Sequence, residues 1–135
     1  MLQRIQTLYL AAAILLTGAM FFTPLFQRTL ESPEGWLWVA MMICAGISSA
    51  LSLWAIMLFG QRKKQIQVIQ VAMIFQTLLF GSSIGIVFSL GGIGRYLWDE
   101  SLGAALVLLA LVAMLRAING IKKDEELVRS MDRIR

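Results

Sequence analysis

Four stretches without a charged side chain, Ile5–Gln27, Gly35–Gln61, Gln65–Gly94 and Ser101–Leu115, dominate a chain of 135 residues. A bilayer core is about 30 Å thick and takes about 20 helical residues to cross, so each of the first three meets that length unaided. The fourth reaches it if its helix starts near Leu97 and runs to Ile118, with the Arg116 stem snorkelling to the headgroups. The chain is 59% hydrophobic and 15% charged, with a mean hydropathy of +0.76. A soluble fold of this size needs more polar surface than that. The expectation is a single all-α domain, an integral membrane four-helix bundle with spans at about 5–26, 36–59, 66–90 and 97–118, followed by a C-terminal cytoplasmic amphipathic helix over 119–135.

Chain breakers fall between these stretches: Pro24, Pro33 and Gly35 after the first, and "GGIG" at 91–94 after the third. The compact "GQRKKQ" at 60–65 should join antiparallel neighbours. Basic residues then set the orientation, because cytoplasmic loops carry the excess of Lys and Arg. Ten of the twelve lie in residues 1–4, in the 60–65 turn or from Arg116 onward, and the two opposite loops hold only Arg28 and Arg95. This predicts a multi-pass protein of the bacterial inner (cytoplasmic) membrane with both termini in the cytoplasm. Trp36, Trp38, Tyr96 and Trp98 fall at the outer ends of their spans, where interfacial aromatics belong. Arg4 followed by "LYLAAAILL" also has the look of a secretory signal, but the run continues through Met20, Phe21 and Phe22 without a polar region before cleavage, so it reads as an uncleaved first span.

Several chemistries are excluded by what the sequence lacks. There is no His, which removes imidazole-ligated haem, His-containing zinc sites and every triad that uses His as base. The single Cys44, in the middle of the second span, can form no internal disulfide, and lipid disfavours its thiolate, so it reads as a small apolar filler. "GGIG" lacks the strand and the following Lys or Ser/Thr of a phosphate loop. Arg95, Asp99 and Glu100 come together in "RYLWDESLG"; the paired acids suit the positive end of a helix dipole better than acid–base work. The net charge of +4 is explained by topology, so no nucleic-acid partner is expected.

Within the spans the candidates are packing residues. Gln76 lies deep in the third span, and an unpaired amide in hydrocarbon is expensive, so it should hydrogen-bond to another helix; the alternative is a ligand or proton path. Small residues four apart, Gly81 and Gly85 in the third span and Gly46 and Ala50 in the second, suggest faces where helix backbones approach closely, within the chain or between copies.

The tail "IKKDEELVRSMDRIR" reads as an amphipathic helix continuing from the fourth span: Ile118, Ile121, Val128, Met131 and Ile134 fall along one side, with Asp124 and Glu125 interrupting. Glu125 with Arg129 and Lys122 with Glu126 are i,i+4 pairs. Six basic residues against four acidic from 116 on fit a protein surface better than an anionic lipid anchor. The expected partner surface is Arg4, the turn residues Arg62, Lys63 and Lys64, and Lys122, Lys123, Glu125, Glu126, Arg129, Asp132 and Arg133 of the tail.

"MLQRIQTLYL", "GQRKKQIQ" and "INGIKKDEELVRSMDRIR" resemble the short four-span inner-membrane proteins of Bacteroidota that form a domain-of-unknown-function family. That resemblance implies that Gln3, Arg4 and Gln6, the 61–67 turn and Lys122–Arg135 belong to a motif-bearing cytoplasmic side. It brings no catalytic residues with it. The functional expectation is a non-enzymatic accessory or scaffold subunit, without cofactor, that sits among membrane lipids and docks a protein partner. The alternatives are a small-solute transporter or channel component, or a lipid- or quinone-binding subunit. The orientation is checked by impermeant thiol labelling of intact cells: a Cys at Glu31 should be labelled from outside and a Cys at Ser130 only after lysis, and external labelling at Ser130 overturns the topology.

Overall fold

The computed structural model describes residues 2–31, 35–89 and 98–134, and among them every regular element is a helix: α1 (Leu2–Met20), α2 (Pro24–Leu30), α3 (Leu37–Met57), α4 (Arg62–Ser89) and α5 (Trp98–Asp132). Three of these, α3, α4 and α5, are long and apolar enough to cross a membrane, and the bent pair α1–α2 makes a fourth if it is one span.

The first apolar stretch is not one straight helix over 5–26. Proline 24 has no N–H with which to continue the ladder, and its ring would clash with the carbonyl one turn back. That carbonyl, on Met20, instead accepts from the Thr23 N–H at 3.0 Å and the Thr23 hydroxyl at 2.6 Å. Phe21 N–H to Gly18 O and Phe22 N–H to Ala19 O tighten the last turn in the same i→i+3 pattern. Pro24 then opens α2, the position where a missing N–H costs nothing. The two axes differ by 52°.

The Leu58–Gln61 turn is as compact as its sequence suggests. Leu58 N–H reaches Trp54 O and Ala55 O, and Gln61 N–H reaches Leu58 O at 2.9 Å, so α4 starts at once and runs back along α3. The four long helices form a ring in which α1 packs against α5 and α3, and α4 against α3 and α5, while α2 lies chiefly on the start of α5. The last apolar stretch and the tail are a single 35-residue helix.

Burial follows the helical period. On α5 the inward stripe is Gly103, Ala104, Val107, Ala110, Leu111, Ala113, Met114, Ala117, Ile118 and Ile121, and on α4 it includes Ile69, Ala72, Gln76, Leu79, Ser83 and Ile86. Two apolar clusters result. One, built from Leu10, Ala13, Ala55, Ile69, Ala110, Ala117 and their neighbours, lies toward the basic turn; the other, from Met20, Leu25, Met41, Ala45, Leu79, Ile86 and Val107, lies toward α2.

The close contacts expected at Gly81 and Gly85, and at Gly46 and Ala50, are not made within the chain: all four face outward, and a Cβ added at any of the three glycines meets nothing within 4 Å. Gly81 is two residues on from buried Leu79, which turns it to the opposite side of α4. Close approach occurs instead at Gly103, where an added Cβ would lie 2.7 Å from Thr23 Oγ1 and 2.8 Å from Leu25 Cβ, because α2 crosses α5 there. Gly103→Ala should therefore destabilise the protein in detergent by about 1–3 kcal/mol through overpacking. Gly81→Ala should leave it unchanged or stabilise it by up to about 1 kcal/mol. Thermal unfolding of the two variants side by side checks the contrast.

Candidate functional site

Halfway along the bundle, between the two apolar clusters, lies a layer of buried polar side chains. Gln76 on α4 is fully buried. Its Nε2 donates to Thr17 Oγ1 on α1 at 3.0 Å, and its Oε1 accepts from Ser48 Oγ on α3 at 2.9 Å. The Thr17 hydroxyl in turn donates to Ala13 O at 2.8 Å, and Ser52, one turn from Ser48, donates to Ser48 O at 2.8 Å. The interhelical hydrogen bond anticipated for Gln76 is thus double, and it ties three helices. Both functional ends of the amide are occupied by the protein itself, which suits a structural joint better than a place where a passing solute exchanges partners.

The basic end of the bundle gathers most of the residues singled out for partner binding. Arg62 at the start of α4 is half-buried and pairs with Asp124 of α5, Nη2 to Oδ2 at 3.3 Å. This contact fastens the root of the tail to the α3–α4 turn. Asp124, an interruption of the apolar stripe when read along the sequence, earns its place through it. Arg4, Lys63, Lys64, Lys122, Lys123, Glu126, Arg129, Asp132 and Arg133 are exposed, and Glu125 is half-exposed. Glu125–Arg129 and Lys122–Glu126 are not among the ion pairs of the described residues; instead Lys122, Glu125, Glu126 and Arg129 line a shallow surface depression of about 200 Å³. Among the described residues beyond Ile121 no side chain is fully buried, and Leu127, Val128, Met131 and Ile134 stand exposed.

Two larger grooves share this end. One, of about 730 Å³, runs between α1 and the end of α3 and is lined by Arg4, Leu8, Ile56, Met57 and Phe59 among others. The second, of about 740 Å³, follows the turn from Phe59 to Lys64 and is bounded by Val128 of the tail. Phe59 is a wall of both. Close by in sequence, Gln6 is buried against Gly120, and its Nε2 has no hydrogen-bond partner among the described residues.

At the opposite end an ion pair joins α2 to α5. Glu100 is 4% exposed, and its Oε1 lies 3.4 Å from Nε of Arg28, which also reaches Glu31 at 3.9 Å. Glu100 Oε2 has no hydrogen-bond partner among the described residues. The expected helix-start position of Asp99 and Glu100 is correct, since both lie in the first turn of α5, but the charge that meets Glu100 comes from α2. Arg95, Tyr96 and the 91–94 glycines lie outside the described residues. No cluster of three or more Cys, Asp or Glu that could hold a metal occurs among the described residues.

Residues 2–134 match the family described as Domain of unknown function (DUF4293). The chain belongs to that family. No curated protein and no solved structure matches it. The DUF4293 match takes in α1 through α5 almost end to end, so the tail and the basic turn are as much part of the family's extent as the apolar helices are.

The polar layer gives a direct test. Gln76→Leu removes two interhelical hydrogen bonds, and each such bond in a membrane protein contributes about 0.6 kcal/mol on average and up to about 1.7. A loss of about 1–3 kcal/mol is expected, and Ser48→Ala made on top of it should cost clearly less than Ser48→Ala alone. Equilibrium unfolding in mixed detergent micelles, run as a double-mutant cycle, measures the coupling; additive losses would mean the bond contributes nothing.

Proposed function

We propose that this protein is a non-enzymatic accessory or scaffold subunit of the bacterial inner membrane, lying with both termini in the cytoplasm and docking a protein partner through its cytoplasmic face. One observation carries the reading: α5 continues unbroken past the last buried residue, Ile121, for eleven further residues. At 1.5 Å per residue that is a rod about 16 Å long. An isolated helix of this length is marginal in water, and its exposed Leu127, Val128, Met131 and Ile134 need cover. Lys122, Lys123, Arg129 and Arg133 stand with Glu125, Glu126 and Asp132 on the same rod, so charge of both signs surrounds the apolar positions. Such a mixture gives electrostatic complementarity to a protein surface and little net attraction to anionic lipid.

The Arg62–Asp124 pair supports the same reading, because it fixes the direction in which the rod leaves the bundle and so presents it in one orientation. The occupied amide of Gln76 favours a scaffold over a solute path.

Docking by this face should depend on the negative members of the rod. Glu125→Lys together with Glu126→Lys should leave insertion and abundance unchanged while the partner recovered by cross-linking in native membranes falls at least tenfold. Unchanged cross-linking in that variant, and in a chain truncated after Gly120, removes the tail from the docking surface.

A further inference from the structure

The basic end contains two surfaces of different charge character. The tail mixes acids with bases, whereas the two grooves that meet at Phe59 are lined by Arg4, Arg62, Lys63 and Lys64 and, among the described residues, by no acidic one. Arg62 is committed to Asp124, but Arg4, Lys63 and Lys64 are exposed and take part in none of the ion pairs of the described residues. The groove between α1 and α3 also has a direction. Its charge lies at the end of the bundle, at Arg4, with Lys63 and Lys64 lining the adjoining groove across Phe59, and its apolar wall lies deeper, at Leu8, one helical turn from Arg4, and at Ile56 and Met57. Two members of this wall are widely exposed, Leu8 at 67% and Met57 at 78%, while Ile56 is half-buried. The surface is thus a cationic rim over an apolar trough that opens toward the membrane-crossing part of α1 and α3.

We infer that this groove holds one anionic phospholipid, its phosphate between Arg4 and the Lys63–Lys64 turn and an acyl chain along Leu8, Ile56 and Met57. The head and the chain of such a lipid lie in the same order, from the charged edge inward, as the two kinds of residue do. Phe59, common to both grooves, would separate headgroup from glycerol and be covered by it. The inference depends on the helices crossing a bilayer and is independent of the tail's docking role, since among the described residues Val128 is the only one of the tail on the wall of either groove.

The test uses the full chain purified in neutral detergent, titrated with phosphatidylglycerol or with zwitterionic phosphatidylethanolamine, and read by native mass spectrometry and by thermal unfolding. Phosphatidylglycerol should be retained at one per chain and raise the unfolding midpoint by several degrees; phosphatidylethanolamine should do neither. Arg4→Gln with Lys63→Gln and Lys64→Gln should weaken retention tenfold or more, while Lys122→Gln with Lys123→Gln and Arg129→Gln, the same change in net charge on the tail, should not. Met57→Trp, which fills the trough and keeps every charge, should also reduce retention, so the inference stays testable if the triple variant folds poorly. Equal retention of both lipids overturns it, as does equal loss in the two charge-neutralised proteins. Protection by inorganic phosphate alone would assign the rim to a free anion, and a concentration-dependent dimer abolished by Met57→Trp would assign the trough to a second copy; either result overturns the lipid.

Discussion

The amide of Gln76 is the joint on which the arrangement of the bundle depends. In lipid, helices gain little by hiding apolar side chains from one another, because the acyl chains outside are as apolar as the core; register has to come from close packing and from polar groups with nowhere else to bond. Gln76 reaches α1 through Thr17 and α3 through Ser48, at the depth where the two apolar clusters meet. A slide of one helix by a single turn would move its partner about 5 Å away and strand a buried amide. Small side chains do the rest. Ala13 on α1 and Ala110, Ala113 and Ala117 on α5 form the seam along which those two helices lie together.

Much of this was legible in the residues, and the parts that were not have a common cause. Charge-free stretches and the Gly60–Gln65 turn predicted the four long helices because length and hydropathy are local properties. Gln76 predicted its own bonding because an amide in hydrocarbon has few alternatives. The glycines left their contact undecided between the chain and a second copy, since a four-residue spacing tells which residues share a face but not which way the face points, and Gly81 and Gly85 point out of the bundle. Gly103 carried no spacing motif at all; its role exists because Pro24 turns α2 through 52° and lays Thr23 and Leu25 across α5. Arg28–Glu100 was hidden for the same reason, being a pair between residues 72 apart that only that bend brings together. The long-range consequence of a local break is what the sequence pattern does not contain.

At the basic end, charge rather than backbone geometry sets what the sequence pattern does not contain. Taken as one patch, Arg4, the turn and the tail looked like a single partner surface. The structure divides them: Arg62 and Asp124 neutralise each other at the seam, an all-basic rim lies on one side, and a rod of mixed sign projects on the other. Asp124 is the residue that makes the division, because it removes the central Arg from the rim and anchors the root of the rod. A protein only 135 residues long can in this way present two chemically distinct faces from one end of one bundle.

The bend at Pro24 has a further consequence, for the order in which the molecule can be assembled. Helix α1 has its broadest contact with α5, and α2 lies mainly on the beginning of the same helix, so α1 and α2 find their principal partner only after α3 and α4 have been made and α5 arrives. Until then Arg28 has no Glu100, and the surface that will receive Gly103 is open. Helices α3 and α4, joined by the compact Leu58–Gln61 turn, are free to pair early as a hairpin, and the chain closes into a ring when α5 enters between α4 and α1. Helix α5 is therefore a keystone, and a nascent chain stalled before it is an open half-bundle whose exposed seam is the kind of surface that quality-control proteases and chaperones handle.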